Sequence, residues 1–228
     1  MKPKASISLD LDNTWSYLKI HGDAGWETYP SYLEMFIPFF LDILDRYGLS
    51  ITFFIVGKDA QNDRNAEALR LLAQRGHEVG NHSLHHEPWF HLYDREHIVR
   101  EVLESEEHIL RVTGKKPVGF RGPGYSWSRG LFEVLARSGY RYDASLLPTS
   151  IGPLARRYYF RKASLPREEL ARRSRLLGSF SDGLRPVKSF LWRTGNGENL
   201  LEIPVTTMPG LKLPFHMSYL LFLSRYSR

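Results

Sequence analysis

The chain has 228 residues, a length that favours one domain, and its 42% hydrophobic and 25% charged content excludes a collagen-like, low-complexity or wholly disordered protein. It contains no cysteine, which excludes disulfides, thiol nucleophiles and iron–sulfur centres and leaves histidine and carboxylates as the ligands of any metal. The net charge of +6 is uneven, since residues 1–150 carry 17 basic and 20 acidic side chains and residues 151–228 carry 14 and 5.

Strand and helix patterns alternate along the first 145 residues. The predicted strands are residues 5–11, 50–56, 77–81, 118–121 and 140–145. The predicted helices are residues 32–47, 65–75, 94–112 and 130–138. Strands that alternate with helices of this length are typical of βαβ units, so the pattern predicts an α/β fold with a parallel sheet or barrel.

Residues 146–199 break this rhythm with scattered proline, arginine and serine, which predicts an irregular insertion or cap within one domain that spans residues 1–228. The segment LLEIPVT (200–206) then resumes as a strand. The cap is strongly basic, and most of its charge lies in Arg156, Arg157, Arg161, Lys162, Arg167, Arg172, Arg173 and Arg175. This density suits phosphates on a membrane surface, a nucleic acid or an anionic substrate, and a solvated basic helix is the alternative.

The sequence predicts neither export nor a membrane span. The N-terminus, MKPKASISLDLD, has two lysines but lacks the apolar core of a secretory signal. The longest apolar stretches, 35–41 and 219–223, are far shorter than the roughly 20 residues needed to cross a bilayer. We therefore expect a cytoplasmic protein, with peripheral contact at the inner membrane face as an option. A nucleic-acid partner is not expected, because no nucleic-acid-binding motif accompanies the charge.

Polar side chains cluster where the predicted strands end. Because the carboxyl ends of parallel strands meet at one edge of the sheet, we expect these side chains to form one site. They are Asp10, Asp12, His82, His86, Arg121 and Asp143.

Three of these residues suit a divalent metal. Asp12, His82 and His86 offer one carboxylate and two imidazoles, which leaves positions open for water and substrate as in hydrolytic zinc sites. The i, i+4 spacing places His82 and His86 on one face of a helical turn, and His85 at i+3 is the alternative ligand. Asp10 shares a face with Asp12 on an extended strand, where it could take a proton from water. The alternative is that the segment DNT (12–14) forms only a polar turn.

In this order and spacing, the motifs resemble those of the polysaccharide deacetylase family, the NodB homology domain of carbohydrate esterases. SLDLDNT resembles the first motif, in the variant with one residue between its aspartates, and TFFIVG resembles the second-strand signature. NHSLHH resembles the His-Ser/Thr-x-x-His motif, RGPGY the Arg-x-Pro motif, and YDAS the fourth motif. The resemblance covers about residues 5–145.

The resemblance implies a distorted (β/α) barrel in which Asp12, His82 and His86 hold zinc or a similar divalent ion. It implies that Asp10 is the catalytic base and that Arg121 pairs with it. A plain surface ion pair is the alternative for Arg121.

The resemblance also assigns the remaining candidates. Gly124 and Tyr125 are the expected oxyanion and substrate contacts, although many family members carry tyrosine at the position of Gly124. Asp143 would orient an acid histidine, but the tryptophan that usually follows this aspartate is missing. The family's Leu-x-x-His motif matches LPFH (213–216) in letters only, because a proline lies inside it, and His216 is the candidate acid.

After residue 206 the sequence shows only prolines and an apolar helical stretch at 218–226. A helix in such a barrel leads back to a closing strand, so we expect the barrel to be incomplete and the acid histidine to lie beyond residue 228. If the chain is complete, His216 must supply the acid.

The resemblance implies a metal-dependent hydrolase that removes N-acetyl groups from amino sugars of a glycan or glycan precursor. The same scaffold could act on another amide, such as a lipid-linked N-formyl amino sugar, a cyclic imide or a ureide. A non-catalytic carbohydrate-binding relative is a further alternative. Aromatic side chains near the predicted site suit sugar rings or pack under loops. They are Trp15, Tyr17, Trp26, Tyr29, Trp89 and Trp127.

Overall fold

The structure, a computed structural model, describes residues 5–163, 165–195, 197–208, 210, 212–215 and 224. Its strands are β1 (Ser8–Leu11), β2 (Thr52–Ile55), β3 (Glu78–Asn81), β4 (Gly119–Phe120), β5 (Tyr142–Asp143), β6 (Phe190–Arg193) and β7 (Asn199–Glu202). Its helices are α1 (Thr14–His21), α2 (Leu33–Arg46), α3 (Gly57–Gln61), α4 (Ala66–Gln74), α5 (Arg95–Thr113), α6 (Arg129–Arg137), α7 (Gly152–Tyr159) and α8 (Arg167–Arg172).

The strands form one mostly parallel sheet. Their order is β1-β2-β3-β4-β5-β7-β6, and only β6 runs antiparallel to its neighbour. The predicted α/β class is therefore confirmed. Within the described residues the sheet is open, with β1 and β6 at its edges, rather than closed into a barrel.

Helices α2, α4, α5 and α6 cover the sheet, because each buries one apolar face. In α2 the buried side chains recur at the i, i+4, i+8 and i+11 positions, the spacing of one helical face. They are Leu33, Ile37, Leu41 and Leu44. They pack with Phe53 and Ile55, the two residues of β2 that point to the same face. Burying each such side chain stabilises the fold by roughly 1.5–3 kcal/mol.

A second buried cluster lies where α5 and α6 cover β4 and β7. Phe120 and Leu200 come from the strands, and Val102 and Leu135 come from the two helices. These two clusters hold the strands rigidly, so that the loops after β1, β3 and β4 leave the sheet at one edge.

Every strand and helix predicted in the first 145 residues is present, with ends that differ by a few residues. The structure also contains α1 and α3, which the spacing of apolar residues did not predict. The signal for α1 lies in its caps. Asn13 Oδ1 accepts a hydrogen bond from the Thr14 amide at 3.0 Å, and Gly22 ends the helix with φ of 88°. An asparagine before a helix and a glycine after it are ordinary capping residues.

The cap at 146–199 is more regular than expected, since it contains α7, α8 and strand β6. Its arginines are also not all solvated. Arg173 is 4% exposed, and its Nε donates a hydrogen bond to the Ile20 carbonyl at 2.7 Å. Arg156 donates to the Leu176 carbonyl at 2.8 Å. A purely solvated basic helix is therefore the wrong description of this segment.

His216 and nearly all of the apolar stretch 218–226 lie outside the described residues. Among the described residues, none of the helices combines the length and apolarity that a bilayer span requires.

Candidate metal centre

Asp12, His82 and His86 converge at the carboxyl edge of the sheet. Asp12 Oδ1 lies 3.3 Å from His82 Nε2 and 3.0 Å from His86 Nε2. The three potential ligand atoms lie within 4.8 Å of one another. Both imidazoles are buried, and neither Asp12 Oδ1 nor His86 Nε2 has a hydrogen-bond partner among the described residues. Buried polar atoms are normally satisfied, so this donor set fits a divalent cation.

The surroundings present His82 and Asp12 as ligands. His82 Nδ1 lies 2.6 Å from the Arg121 carbonyl, which can only accept, so Nδ1 carries the hydrogen and Nε2 faces Asp12. Burial lowers the pKa of His82, but the carboxylates of Asp10 and Asp12 outweigh burial and raise it. Burial raises the pKa of Asp12, yet the charges of the adjacent His86 and His82 hold it well below its usual range. Asp12 is therefore an ionised, hard ligand.

The turn that carries His86 is held by a buried carboxylate from α5. Ser83 and His86 have φ of 64° and 55°, values that few residues other than glycine adopt. Glu101 Oε2 accepts hydrogen bonds from the Leu84 amide at 3.1 Å and the His85 amide at 3.0 Å. Its Oε1 lies 2.6 Å from His85 Nδ1. The ring of the alternative ligand His85 therefore binds Glu101, and His85 is not part of the three-residue cluster.

Asn81 supports the same turn from the end of β3. Its Nδ2 donates to the Val102 carbonyl at 2.9 Å and to the Tyr140 hydroxyl at 2.7 Å. Its Oδ1 accepts from the Ser83 amide at 2.9 Å and from Ser105 Oγ at 2.7 Å. All the hydrogen-bonding capacity of this buried amide is used to fix the start of the histidine turn.

Replacing Glu101 with alanine should destabilise the protein by about 2–5 kcal/mol, because one buried and one partly buried amide of a strained turn lose their acceptor. Metal affinity should fall by about 10–100-fold, since the turn positions His86. Urea unfolding and zinc titration measure the two effects. Glu104→Ala, an exposed position on the same helix, is the control and should stay within about 0.5 kcal/mol of wild type. Equal behaviour of the two variants would contradict the role of Glu101.

Asp10 and Arg121 form a largely buried ion pair beside Asp12, His82 and His86. Arg121 Nη1 donates to Asp10 Oδ1 at 2.7 Å, and Nη2 donates to Ser8 Oγ at 2.9 Å. Nε donates to the Ala144 carbonyl at 3.0 Å, and the guanidinium lies 4.3 Å from the centre of the Phe54 ring. Arg121 is 8% exposed, so it is not a plain surface ion pair.

Asp143 is fully buried in a different environment. Its carboxylate accepts hydrogen bonds from the Ser145 amide at 2.9 Å and from Ser145 Oγ at 2.7 Å. It also shares a hydrogen bond with Glu202, whose Oε2 accepts from Trp192 Nε1 at 2.8 Å. Burial raises the pKa of Asp143, and burial together with the charge of Asp143 raises that of Glu202 well above its usual range. Glu202 is therefore the carboxyl of this pair that holds its proton to the higher pH.

The sheet register places Asp143 on the opposite face from Asp10. Asp143 is aligned with Phe120 and Glu202, and through β3 and β2 with Leu11. Aligned residues of parallel strands point to one face, and Asp10 precedes Leu11 by one residue. No described histidine is among the hydrogen-bond partners of Asp143. The role of Asp143 in orienting His216 stays a prediction, because His216 lies outside the described residues.

The raised pKa of Glu202 predicts a specific pH dependence of stability. An unfolded chain releases carboxyl protons near pH 4, whereas the folded pair retains one to higher pH. The pair's contribution to the free energy of unfolding is therefore complete below about pH 4 and is lost as the pH rises toward the raised folded pKa, by about 1.4 kcal/mol per pH unit and proton. Glu202→Gln removes the carboxyl with the strongly raised pKa and should flatten this decline. Urea unfolding at pH 4 to 8 compares the slopes, and identical slopes in the variant and the wild-type protein would contradict the raised pKa of Glu202.

Gly124 and Tyr125 lie in the 3₁₀ turn Pro123–Tyr125, with φ of 57° and 61°. A Cβ on Gly124 would lie 2.2 Å from Leu176 Cδ1, and the Gly124 carbonyl accepts from the Leu177 amide at 2.8 Å. The cap packs directly on this turn. The positive φ and this contact both favour glycine at position 124, and the oxyanion role of Gly124 stays a prediction.

Two tyrosines flank Asp12. Tyr32 Oη donates to the Asp12 carbonyl at 2.7 Å. Tyr17 is half exposed, and burial together with the adjacent Asp12 carboxylate raises its pKa. The sequence placed Tyr17 near the site as one of several aromatics, but nothing in it indicated this contact or the supporting roles of Asn81, Glu101 and Glu202.

A sequence model of the polysaccharide deacetylase family matches residues 17–142. A peptidoglycan deacetylase from Helicobacter pylori is 33% identical over 129 residues, 56% of this chain and 41% of the relative. A peptidoglycan-N-acetylglucosamine deacetylase from Bacillus cereus is 27% identical over 141 residues, 62% of each chain. The chain thus spans less than two thirds of either relative. The family match begins after Asp10 and Asp12, so their place at the site rests on geometry.

The fold also occurs among solved structures. A crystal structure of a protein from Mycobacterium smegmatis, described as a polysaccharide deacetylase, superposes with a TM-score of 0.64 at 22% identity. The superposition covers 97% of this chain and 70% of that chain.

Proposed function

The chain belongs to the polysaccharide deacetylase family, and on that premise we propose that it is a metal-dependent hydrolase that removes N-acetyl groups from amino sugars of a glycan or glycan precursor. One observation carries the proposal: Asp12, His82 and His86 converge beside the Asp10–Arg121 pair. This arrangement supports a metal ligand set beside a carboxylate that could accept a proton.

Asp12, His82 and His86 would hold the divalent ion, with zinc as the expected metal. When bound, such an ion supplies Lewis-acid polarisation of the acetyl carbonyl. The hydrolysis converts an amide and water into acetate and a free amine. The chain's own residues must therefore accept a proton from the water and deliver one to the amine.

Asp10 is the proposed proton acceptor. Arg121 Nη1 holds Asp10 Oδ1 at 2.7 Å, which leaves Oδ2 to receive the proton of the attacking water. The fixed guanidinium also orients the carboxylate, so little reorganisation is needed during the reaction. The Gly124 amide is the proposed donor to the oxyanion, and His216 is the candidate within this sequence for the proton donor to the amine.

Acetate release tests the proposal. Zinc-loaded protein is incubated with chitooligosaccharides, peptidoglycan fragments and lipid-linked precursors, and acetate, formate and ammonia are measured. We expect acetate from at least one N-acetylated glycan, and none above background from the Asp10→Asn protein. Formate or ammonia would instead indicate another amide. Sugar binding without any product would indicate a non-catalytic relative.

A lipid-linked substrate is the second candidate, because α7 and the residues after it expose a mixed apolar and basic surface. Leu154 is 62% exposed and Tyr158 is 73% exposed, at the i and i+4 positions of one helical face. The exposed arginines around them are Arg157, Arg161, Arg167 and Arg175. Such a surface suits an anionic membrane. Co-sedimentation with phosphatidylglycerol vesicles, but not with phosphatidylcholine vesicles, would support this candidate.

A further inference from the structure

A separate polar cavity of about 310 Å³ lies beyond the ends of β1 and β2. Asn13, which lines it, directly follows the metal-ligand candidate Asp12, so the cavity and the metal centre lie at the same edge of the sheet. Its volume is at the lower end of the range of ligand pockets. Neither the catalytic base nor any of the three proposed ligands lines it.

A buried carboxylate is among the groups that line this cavity, and one of its oxygens has no hydrogen-bond partner among the described residues. Asp59 on α3 is 3% exposed, and its Oδ1 accepts hydrogen bonds from Trp15 Nε1 at 2.9 Å and from Asn13 Nδ2 at 3.1 Å. Asp59 Oδ2 is also buried but has no hydrogen-bond partner among the described residues. A buried acceptor without a partner is costly, which points to a ligand that donates a hydrogen bond.

The support for Asp59 is rigid. Asn13 Nδ2 also donates to Ser31 Oγ at 2.8 Å, and Ser31 Oγ donates to Asn65 Oδ1 at 2.7 Å. Asn65 Nδ2 donates a hydrogen bond to the Asp59 backbone carbonyl at 2.9 Å, which closes the network. This closed network fixes the orientation of the carboxylate before any ligand arrives, so little entropy is lost on binding.

Two indole rings and the Lys58 ammonium group also line the cavity, and Lys19 Nζ lies 5.3 Å from the Trp26 ring centre. The Trp15 and Trp26 ring centres are 6.0 Å apart. Lys58 Nζ lies 5.0 Å from the Trp15 ring centre and 4.8 Å from that of Trp26. Trp26 is partly exposed, whereas Trp15 is buried, so Trp26 offers the ring surface that a ligand can touch.

The charges in the cavity select for a neutral ligand. Lys58 could attract an anion, but Asp59 and Glu27 line the same space and oppose it. A cationic ligand would be repelled by the positive charge of Lys58. A polyhydroxylated ring, by contrast, donates to Asp59, accepts from Lys58 and packs its apolar face on an indole.

We propose that this cavity is a subsite for one neutral sugar unit of the substrate glycan, with Asp59 Oδ2 accepting a hydrogen bond from the sugar and Trp26 packing against its ring. The inference rests on the proposed function, because the glycan would extend from the metal centre into the cavity. It assigns Asp59, Lys58 and Trp26 to substrate binding rather than to the chemical step.

Equilibrium binding of chitotetraose to the zinc-loaded Asp10→Asn protein tests the subsite, with tryptophan fluorescence and calorimetry as readouts. Asp59→Asn keeps an oxygen for Trp15 and Asn13 but turns the unused acceptor into a donor. We expect this change to weaken binding by at least about 10-fold. Trp26→Ala should weaken it by a similar factor, and Trp26→Phe should restore part of the affinity. Glu104→Gln, on the exposed face of α5, is the control and should bind like the parent.

Unchanged binding in Asp59→Asn and Trp26→Ala would overturn the subsite. Competition by inorganic phosphate that depends on Lys58 would overturn the neutral-sugar assignment. Acetate release by the wild-type protein separates this inference from the proposed function. If acetate is released but the two variants bind normally, only the subsite fails. If no acetate is released but both variants lose binding, only the hydrolytic function fails.

Discussion

His86→Ala should abolish stoichiometric metal binding, whereas His85→Ala should leave it intact. The two histidines are adjacent in sequence, but His86 Nε2 lies 3.0 Å from Asp12 Oδ1 and the ring of His85 binds Glu101. Loss of one of three protein ligands leaves only Asp12 and His82, too few to hold a zinc ion tightly. Elemental analysis of purified, zinc-loaded proteins measures the metal content.

The neighbouring histidine is a matched control because both variants remove one imidazole from the same turn. If His85→Ala loses the metal and His86→Ala retains it, the ligand assignment is wrong. Full metal content in both variants, and in Asp12→Ala, would refute the metal centre itself.

Asp10→Asn should retain zinc but lose about 10²–10⁴-fold in turnover, the usual contribution of general acid–base catalysis. Asparagine can keep the hydrogen bond from Arg121 to Oδ1, but its amide cannot accept a proton from water. The structure should therefore persist while the chemical step slows. Steady-state acetate release, together with elemental analysis of the same preparation, measures both quantities.

Asp63→Asn serves as the control, because the Asp63 side chain is 94% exposed and far from the cluster in the chain. It should keep wild-type turnover. If Asp10→Asn loses zinc together with activity, Asp10 is a metal ligand rather than the base.

Local patterns in the sequence predicted the first five strands of the sheet and most of the helices between them. β2 was evident because TFFI is β-branched and aromatic throughout, as expected of a strand buried on both faces. Asp10 and Arg121 were recognised as partners although the chain separates them by 111 positions. The resemblance to the family motif predicted this ion pair, and the local spacing of residues did not.

The supporting residues could not be predicted in the same way. In the sequence, Glu101 is one of many charged residues in a helix that is rich in Glu and Arg, so nothing distinguishes it from the exposed ones. Its burial depends on how α5 packs on β3. Glu202 likewise follows apolar residues in a strand, and its pairing with Asp143 depends on β7 lying next to β5. Such contacts follow from tertiary packing, which has no signature in a single stretch of sequence.

The contact between Arg173 and Ile20 has a consequence for how the protein folds. It joins residues 153 positions apart, so α1 docks against a segment that is synthesised much later. Closing a loop of this length costs conformational entropy before the contact can stabilise the fold. Folds rich in such long-range contacts therefore form slowly. On the ribosome, the Ile20 end of α1 lacks its contact with Arg173 until the cap has been synthesised, and incompletely packed intermediates of this kind are prone to aggregation. Yield of folded protein should therefore depend on translation rate and temperature more than it would for a chain whose first and last elements fold independently.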